Sequence, residues 1–187
     1  MRLFIAVDIS ERSRTLLHKK VCRFQNNIEQ KLKWTAPEKW HLTLKFLGET
    51  KKDKVSLISE LIASSLLDLQ QFTIQFDHIG AFPGLNYPRI IYVGLDNGEA
   101  ELQKIHSNLE EQLSTSGFEK DNRKYKPHLT LARTSNNTDK EKLADNIKHL
   151  KKSKNINIHS SIKAVHLYES KLMAEGPLYK KVRSFSL

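Results

Sequence analysis

The tetrapeptide His-Leu-Thr-Leu occurs twice in this chain, at 41–44 and again at 128–131. Alternation of polar and apolar side chains is typical of a β-strand, because successive side chains point to opposite faces of a sheet. Each copy therefore predicts a strand with His and Thr on one face and two leucines on the other. If the leucines face a core, two such strands brought together place four polar side chains on one shared face.

The functional prediction depends on the motif occurring twice, because a single copy can arise by chance. With eight His among 187 residues, about 0.4 His-x-Thr matches are expected by chance, so one copy alone is best interpreted as an ordinary amphipathic strand. Two identical copies flanked by the same leucines disfavour that interpretation. A metal site is also disfavoured, because no carboxylate or cysteine lies at ligand spacing beside either histidine.

Two imidazoles and two hydroxyls form a set suited to phosphodiester chemistry. The unperturbed pKa of imidazole is about 6.5, so one histidine can accept a proton while the other donates one. A hydroxyl two positions on can donate a hydrogen bond to a non-bridging phosphate oxygen and stabilise the transition state. The repeat therefore predicts phosphodiester cleavage without a metal. Its predicted catalytic residues are His41, Thr43, His128 and Thr130.

The composition predicts one compact domain. Apolar residues make up 39% of the chain and aromatic residues 8%, which is enough for a sizeable core. The single cysteine, Cys22, excludes an intramolecular disulfide and favours a reducing cytoplasm. No apolar run approaches the roughly 20 residues of a membrane span, so no membrane association is expected. The net charge of +10 fits either a polyanionic partner or a solubility role.

Hydrophobic periodicity predicts an α+β fold with mostly antiparallel strands. A strand at 3–7 is followed by a helix capped by Ser10, and a strand at 41–47 by a helix capped by Asp53. Segments 72–82 and 89–95 predict a hairpin across a turn rich in proline, glycine and asparagine. Two more helices and four strands complete the chain, and no linker divides it.

Five sequence blocks in order resemble the 2H phosphoesterase superfamily, and within it the RNA 2′,3′-cyclic phosphodiesterases, also known as 2′-5′ RNA ligase-like proteins. The blocks are RLFIAVDIS, KWTAPEKWHLTLKFLGE, IGAFPGLNYPRIIYVGL, KPHLTLAR and LYES. The resemblance implies a bilobal fold in which two pseudo-symmetric lobes, with mostly antiparallel sheets, line a central cleft and carry helices outside. It also implies a single domain, residues 1–187, with internal repeats marked by the motifs at 41–44 and 128–131.

The resemblance implies the opening of a terminal 2′,3′-cyclic phosphate on RNA to a 2′-phosphate, without cofactor or metal. By motif position, His41 would protonate the departing 3′ oxygen and His128 would activate water. The residues alone leave this order open, because the two tetrapeptides are identical. The implied partners are RNA with cyclic phosphate ends, and tRNA halves in members that join them. We expect a monomer in the cytoplasm.

Four further residues are candidates for substrate binding. Lys45 is expected on the polar face of the first motif strand, although a solvated lysine is the plainer interpretation. Arg133 ends the block KPHLTLAR, and regular alternation places it opposite the motif histidine, His128, unless the strand ends or bulges first. Phe82 and Tyr168 are candidates for stacking on a base or hydrogen bonding to the nucleotide, with apolar packing as the default.

Two other functions stay open at this point. The first is an RNA-binding module that holds 3′ ends without turnover, whose salt-sensitive binding would survive loss of the histidines. The second is a 2′-5′ phosphodiesterase or ligase acting on oligonucleotides or tRNA halves. Product length separates the enzymes, because opening a cyclic phosphate conserves chain length while 2′-5′ cleavage shortens it.

Overall fold

Strands and helices alternate along the chain in a computed structural model that describes residues 1–28, 30–152, 156–174 and 176–187. The strands are β1 (Arg2–Asp8), β2 (Lys33–Trp34), β3 (His41–Glu49), β4 (Phe72–Phe82), β5 (Ile90–Asn97), β6 (Leu129–Arg133), β7 (Ile158–Ile162), β8 (Ala164–Met173) and β9 (Gly176–Ser186). The helices are α1 (Glu11–Asn26), α2 (Val55–Ser65), α3 (Glu99–Ser114) and α4 (Lys140–Lys152). Every recorded strand pairing is antiparallel, which confirms the predicted α+β class.

The strands lie in the order β7-β4-β5-β6-β3-β1-β8-β9, with β2 beside β6. At the centre of this sheet, the recorded register joins β3 and β6 by one residue pair, Leu42 with Leu129. Each motif strand is therefore the inner edge of its own half, β3-β1-β8-β9 on one side and β6-β5-β4-β7 on the other. This arrangement confirms the predicted pair of antiparallel lobes.

The motif leucines face the hydrophobic core, together with the buried faces of the helices. Leu42 and Leu129 are fully buried, as are Leu17 of α1 and Leu109 of α3. Removing such a side chain from water stabilises the fold by roughly 1.5–3 kcal/mol. The polar residues of each motif consequently point the other way, toward the face that carries no helices, which we call the open face.

The helix caps are predicted correctly for α1 and wrongly for α2. Ser10 caps α1, because its Oγ accepts a hydrogen bond from the backbone N–H of Ser13 at 3.2 Å. Asp53 does not cap α2. It lies inside a 3₁₀ turn, Lys52–Lys54, that leads directly into Val55, and the cap position is taken by Lys54 without a side-chain bond.

A β-bulge interrupts β3 immediately after its threonine. Ala6 of β1 pairs with Thr43. The preceding residue of β1, Ile5, pairs with Lys45, which leaves Leu44 as an extra residue. A bulge shifts the alternation of side chains by one position. Leu44 and Lys45 are therefore both buried on the helix side.

A second bulge occupies the same place in β6. Tyr92 of β5 pairs with Thr130. The preceding residue of β5 pairs with Ala132, so Leu131 is the extra residue. Leu131 and Ala132 are both fully buried. Arg133, one position further, is exposed and returns to the open face.

Candidate active site

The register between β3 and β6 brings the four motif side chains together on the open face. The leucines that follow the two histidines pair with each other. In an antiparallel register, His41 then lies opposite Thr130. By the same register, Thr43 lies opposite His128. All four residues are partly exposed, so the polar face is accessible to a ligand.

Each histidine is held by the same kind of backbone hydrogen bond. Nδ1 of His41 donates to the carbonyl oxygen of Lys39 at 2.8 Å. Nδ1 of His128 donates to the carbonyl oxygen of Lys126 at 2.7 Å. A carbonyl oxygen only accepts, so the proton of the neutral ring lies on Nδ1 and the lone pair on Nε2. Both rings consequently present Nε2 for proton transfer.

The His41 ring lies in an aromatic enclosure. Its centroid is 5.0 Å from the ring of Phe4, 5.2 Å from Tyr179 and 6.3 Å from Tyr168. Its Nε2 lies 3.1 Å from Oγ1 of Thr43. Burial among these rings lowers the pKa of His41 below its ordinary value, because a charged imidazole loses its water contacts.

A carboxylate lies beside His41. Asp8 pairs directly with His41 in the register of β1 and β3. Its Oδ1 accepts a hydrogen bond from the Tyr168 hydroxyl at 2.6 Å, and its Oδ2 one from Lys181 Nζ at 2.9 Å. Burial alone would raise the pKa of Asp8, but these two hydrogen bonds, together with the charges of Lys181 and of His166 at 3.6 Å, outweigh burial and lower it. The resulting negative charge raises the pKa of His41 and so opposes the effect of burial on that ring.

The His128 ring has a different charged neighbour. Phe82 meets it edge to face at 4.8 Å and stacks on Tyr92 at 4.3 Å. Burial lowers the pKa of His128, and the positive charge of Arg133 lowers it further. The two histidines therefore share their geometry but differ in electrostatics, with an anion beside one and a cation beside the other.

The structure places two of the four predicted substrate-binding residues on the face of the site and the other two in buried positions. Arg133 lies on the face of His128 because of the bulge, and Phe82 packs against the same ring. Lys45 was expected on the open face, and this is wrong. Its Nζ lies 2.7 Å from Oε1 of Glu110 on the helix side, where the bulge directs it. Tyr168 is only 9% exposed with its hydroxyl bound to a carboxylate, so it offers no free stacking surface.

Sequence reasoning missed several residues that line the site. Asp8 had a visible signal, since it is the charged residue that ends the apolar run of β1 within the first family block. Phe4 lies four residues before Asp8 on β1, an even spacing that places both side chains on the same face of the strand, so the same pattern could have indicated it. No sequence pattern indicated that Tyr179 lies at the site. Neighbouring strands lie about 4.8 Å apart, so a flat sheet would keep β9 far from β3. The sheet curls enough to bring its ring against His41.

Among the described residues, no three His, Cys, Asp or Glu side chains group as metal ligands would. None of the helices in the described ranges is long and apolar enough to cross a membrane.

Comparison with known sequences identifies related proteins across the whole chain. A model of the 2′-5′ RNA ligase superfamily matches residues 21–172. The RNA 2′,3′-cyclic phosphodiesterase of Methanocaldococcus jannaschii is 35% identical over 187 residues, covering 99% of this chain and 100% of the relative. The protein of the same name from Archaeoglobus fulgidus is 32% identical, covering 99% of each.

Comparison with solved structures finds the same fold. The crystal structure of TT0787 of Thermus thermophilus matches with a TM-score of 0.79 at 22% identity, covering 100% of this chain and 98% of that one. The crystal structure of E. coli LigT complexed with 3′-AMP matches with a TM-score of 0.76 at 24% identity, covering 100% and 97%. At these identities the two structures support the fold alone.

Proposed function

The chain belongs to the 2′-5′ RNA ligase superfamily, and on this premise we propose that it is a hydrolase that opens the terminal 2′,3′-cyclic phosphate of RNA to a 2′-phosphate. One observation carries the proposal. Two imidazoles, each fixed through Nδ1 to a backbone carbonyl, meet on one sheet face, and each lies opposite the motif threonine of the other strand. The printed activity of the relatives supports RNA with a cyclic phosphate end as the substrate class.

The charged neighbours support the assignment of acid and base that the identical motifs leave open. His41 is the proton donor, because the carboxylate of Asp8 stabilises its imidazolium form. His128 is the proton acceptor, because Arg133 disfavours its imidazolium form. The water oxygen forms a bond to phosphorus as it loses a proton to Nε2 of His128. The bond from phosphorus to the 3′ oxygen breaks as Nε2 of His41 gives that oxygen a proton.

The hydroxyls and the guanidinium stabilise the charge that develops on phosphorus. Thr43 and Thr130 each donate a hydrogen bond to a non-bridging oxygen, one from each strand. Arg133, on the same face, donates charge-assisted hydrogen bonds to the phosphate. These contacts hold the phosphorus between the two imidazoles, and the proton transfers then need no metal ion. Phe82, beside His128, packs on the ribose or base of the terminal nucleotide.

The finer organisation remains predicted. A single domain with two internal repeats, a monomeric state, a cytoplasmic location and action on tRNA halves are expectations that rest on the sequence. The joining of ends through a 2′-5′ bond would use the same imidazoles in the same roles, with a 5′ hydroxyl in place of water as the nucleophile.

Product analysis tests the proposed function. A short RNA with a 2′,3′-cyclic phosphate end is incubated with the protein in the presence of EDTA, and the phosphate position of the product is determined by 31P NMR and mass spectrometry. We expect a 2′-phosphate on RNA of unchanged length. His41→Ala and His128→Ala should each reduce kcat/KM by about 10²–10⁴-fold, the range of a lost general acid or base.

His149→Ala is the matched control, since His149 is exposed on α4 and lies outside the motifs. Its activity should equal that of the wild type. Full activity in either motif variant, or salt-dependent RNA binding without any turnover, would contradict the proposal and favour a non-catalytic module that binds RNA ends.

A further inference from the structure

Phe46 is a large aromatic side chain that the fold leaves uncovered on the open face. It is 68% exposed. The bulge at Leu44 directs it to the same face as Thr43, because the register pairs Phe46 with Phe4 of β1. The two phenylalanine rings lie 6.1 Å apart. A ring exposed in this position, next to the candidate site, is accessible to a ligand that extends beyond the two histidines.

The surface from His41 to Phe46 is continuous and aromatic. Phe4, only 3% exposed, lies beneath both and supports them. Tyr179 meets the ring of Phe4 at 5.1 Å and that of His41 at 5.2 Å. The hydroxyl of Tyr179 has no hydrogen-bond partner in the described part of the chain. A ligand that leaves the two histidines in this direction therefore meets a ring face and a free hydroxyl.

A cation accompanies this surface. Arg2 precedes Phe4 by two residues on β1, so its side chain lies on the same open face, where it is exposed. Burial raises the pKa of Tyr179, and the positive charges of Arg133 and Arg2, both on the open face, oppose that rise. The carboxylate nearest in register to Arg2 is Glu49, and it lies 3.5 Å from the N-terminal ammonium. The local charge around Phe46 is therefore positive.

We propose that Phe46, Arg2 and Tyr179 form a second nucleotide subsite, in which the base next to the cyclic end stacks on Phe46 while Arg2 and the Tyr179 hydroxyl contact its phosphate. This inference rests on the proposed function and extends it. Thr43 pairs with Ala6 and Phe46 with Phe4, two residues apart on β1, so Phe46 lies about 7 Å beyond Thr43, past the cyclic phosphate and level with the neighbouring nucleotide. Aromatic faces and cations together are the features that bind unpaired nucleotides without reading their sequence.

A comparison of substrates of two lengths tests the subsite. Values of kcat/KM are measured for a nucleoside 2′,3′-cyclic phosphate and for a dinucleotide with the same cyclic end. In the wild type the dinucleotide should react faster. Phe46→Ala should lower kcat/KM for the dinucleotide by about 10-fold, the typical effect of one lost stacking contact. The mononucleotide, which does not reach the ring, serves as the internal reference.

Two variants complete the design. Phe46→Trp retains a stacking surface and should keep the preference for the dinucleotide. Leu67→Ala removes an apolar side chain that is 80% exposed beyond the end of α2, and should leave both substrates unaffected. Equal losses on both substrates in Phe46→Ala, or no loss on either, would overturn the subsite.

Failure of the proposed function is distinguishable from failure of the subsite. If the wild type turns over neither cyclic substrate, the proposed function is wrong, and binding of the same two compounds is then measured by isothermal titration. A dinucleotide that binds about 10-fold more weakly to Phe46→Ala than to the wild type supports the subsite. Equal binding by the two proteins would overturn it.

Discussion

At the scale of single residues, the two histidines are distinguished by their neighbours rather than by their own contacts. Both donate Nδ1–H to the carbonyl of the residue two positions earlier, so both present the same tautomer. Asp8 faces one ring and Arg133 affects the other. Because the two motifs are letter-for-letter identical, the sequence predicted the pair but not this asymmetry, which depends on residues far away along the chain.

The pH dependence follows from this asymmetry. Burial lowers the pKa of both histidines, so the maximum of kcat/KM should lie below pH 6.5. The protonated form of His41 is lost as pH rises through its pKa, and this loss sets the alkaline limb. Asp8→Asn removes the charge that raises that pKa. The alkaline limb should therefore move to lower pH.

The measurement is a pH–rate profile on a cyclic mononucleotide for the wild type and Asp8→Asn. Asp145→Asn provides the control, because Asp145 is exposed on α4, where it pairs with Lys148 at 3.0 Å. Its profile should match that of the wild type. An alkaline limb that stays in place in Asp8→Asn, or moves to higher pH, would contradict the role given to this carboxylate.

At the scale of elements, the bulges explain where sequence reasoning succeeded and where it failed. Strand and helix positions followed from hydrophobic periodicity, which reflects the core that each element faces. Lys45 was placed on the wrong face, because alternation was assumed to continue past Leu44. A bulge is set by pairing with a neighbouring strand, so its own residues do not reveal it. Arg133 was left conditional on such a bulge, and the bulge at Leu131 places it on the open face.

The buried position of Lys45 predicts a large effect on stability. Its side chain is 3% exposed and forms an ion pair with Glu110, whose side chain is 11% exposed. Lys45→Met leaves the Glu110 carboxylate buried without its cation, which typically costs about 3–5 kcal/mol of unfolding free energy. The double variant Lys45→Met with Glu110→Leu removes both charges and should recover most of that loss.

Urea denaturation at neutral pH measures these unfolding free energies. Lys148→Met is the matched control, because its ion pair with Asp145 is exposed and should contribute less than about 1 kcal/mol. A loss in Lys45→Met no larger than that of the control would show that the pair does not stabilise the fold. The same result in the double variant and the single variant would also contradict this account.

At the scale of the whole molecule, the recorded register between the two motif strands is the single pair of Leu42 with Leu129. Besides the leucine pair, the Tyr125 hydroxyl donates to the carbonyl of Thr43 at 3.1 Å. Lys45 Nζ donates to the carbonyl of Glu119 at 2.8 Å. Both bonds run between the segment that precedes the second motif and the strand that carries the first. The relative placement of the two histidines thus depends on long-range contacts that local sequence patterns do not contain.

The net charge of +10 predicts that RNA binding weakens as salt rises. For single strands, the slope of log affinity against log salt is about −0.7 for each phosphate that a cation neutralises. Arg133→Ala should make this slope shallower by about 0.7. Arg183→Ala should not, since Arg183 pairs in register with the core-facing Leu167 and lies on the other face of the sheet.

Fluorescence anisotropy on a labelled RNA with a cyclic end, in the His128→Ala background to prevent turnover, measures the slope. Equal slopes in the Arg133→Ala protein and its parent would contradict a phosphate contact at Arg133. A slope near zero in the parent protein would contradict an electrostatic role for the basic charge altogether.

The backbone bonds that orient the two imidazoles have a consequence for how this protein tolerates change. The accepting atoms belong to the main chain at Lys39 and Lys126, so the identity of those two side chains does not enter the bond. Random mutagenesis scored by activity should therefore tolerate many replacements at both positions while rejecting them at the histidines. A substitution at either position leaves the orientation of the histidine ring unchanged, because every amino acid supplies the backbone carbonyl oxygen that accepts the hydrogen bond.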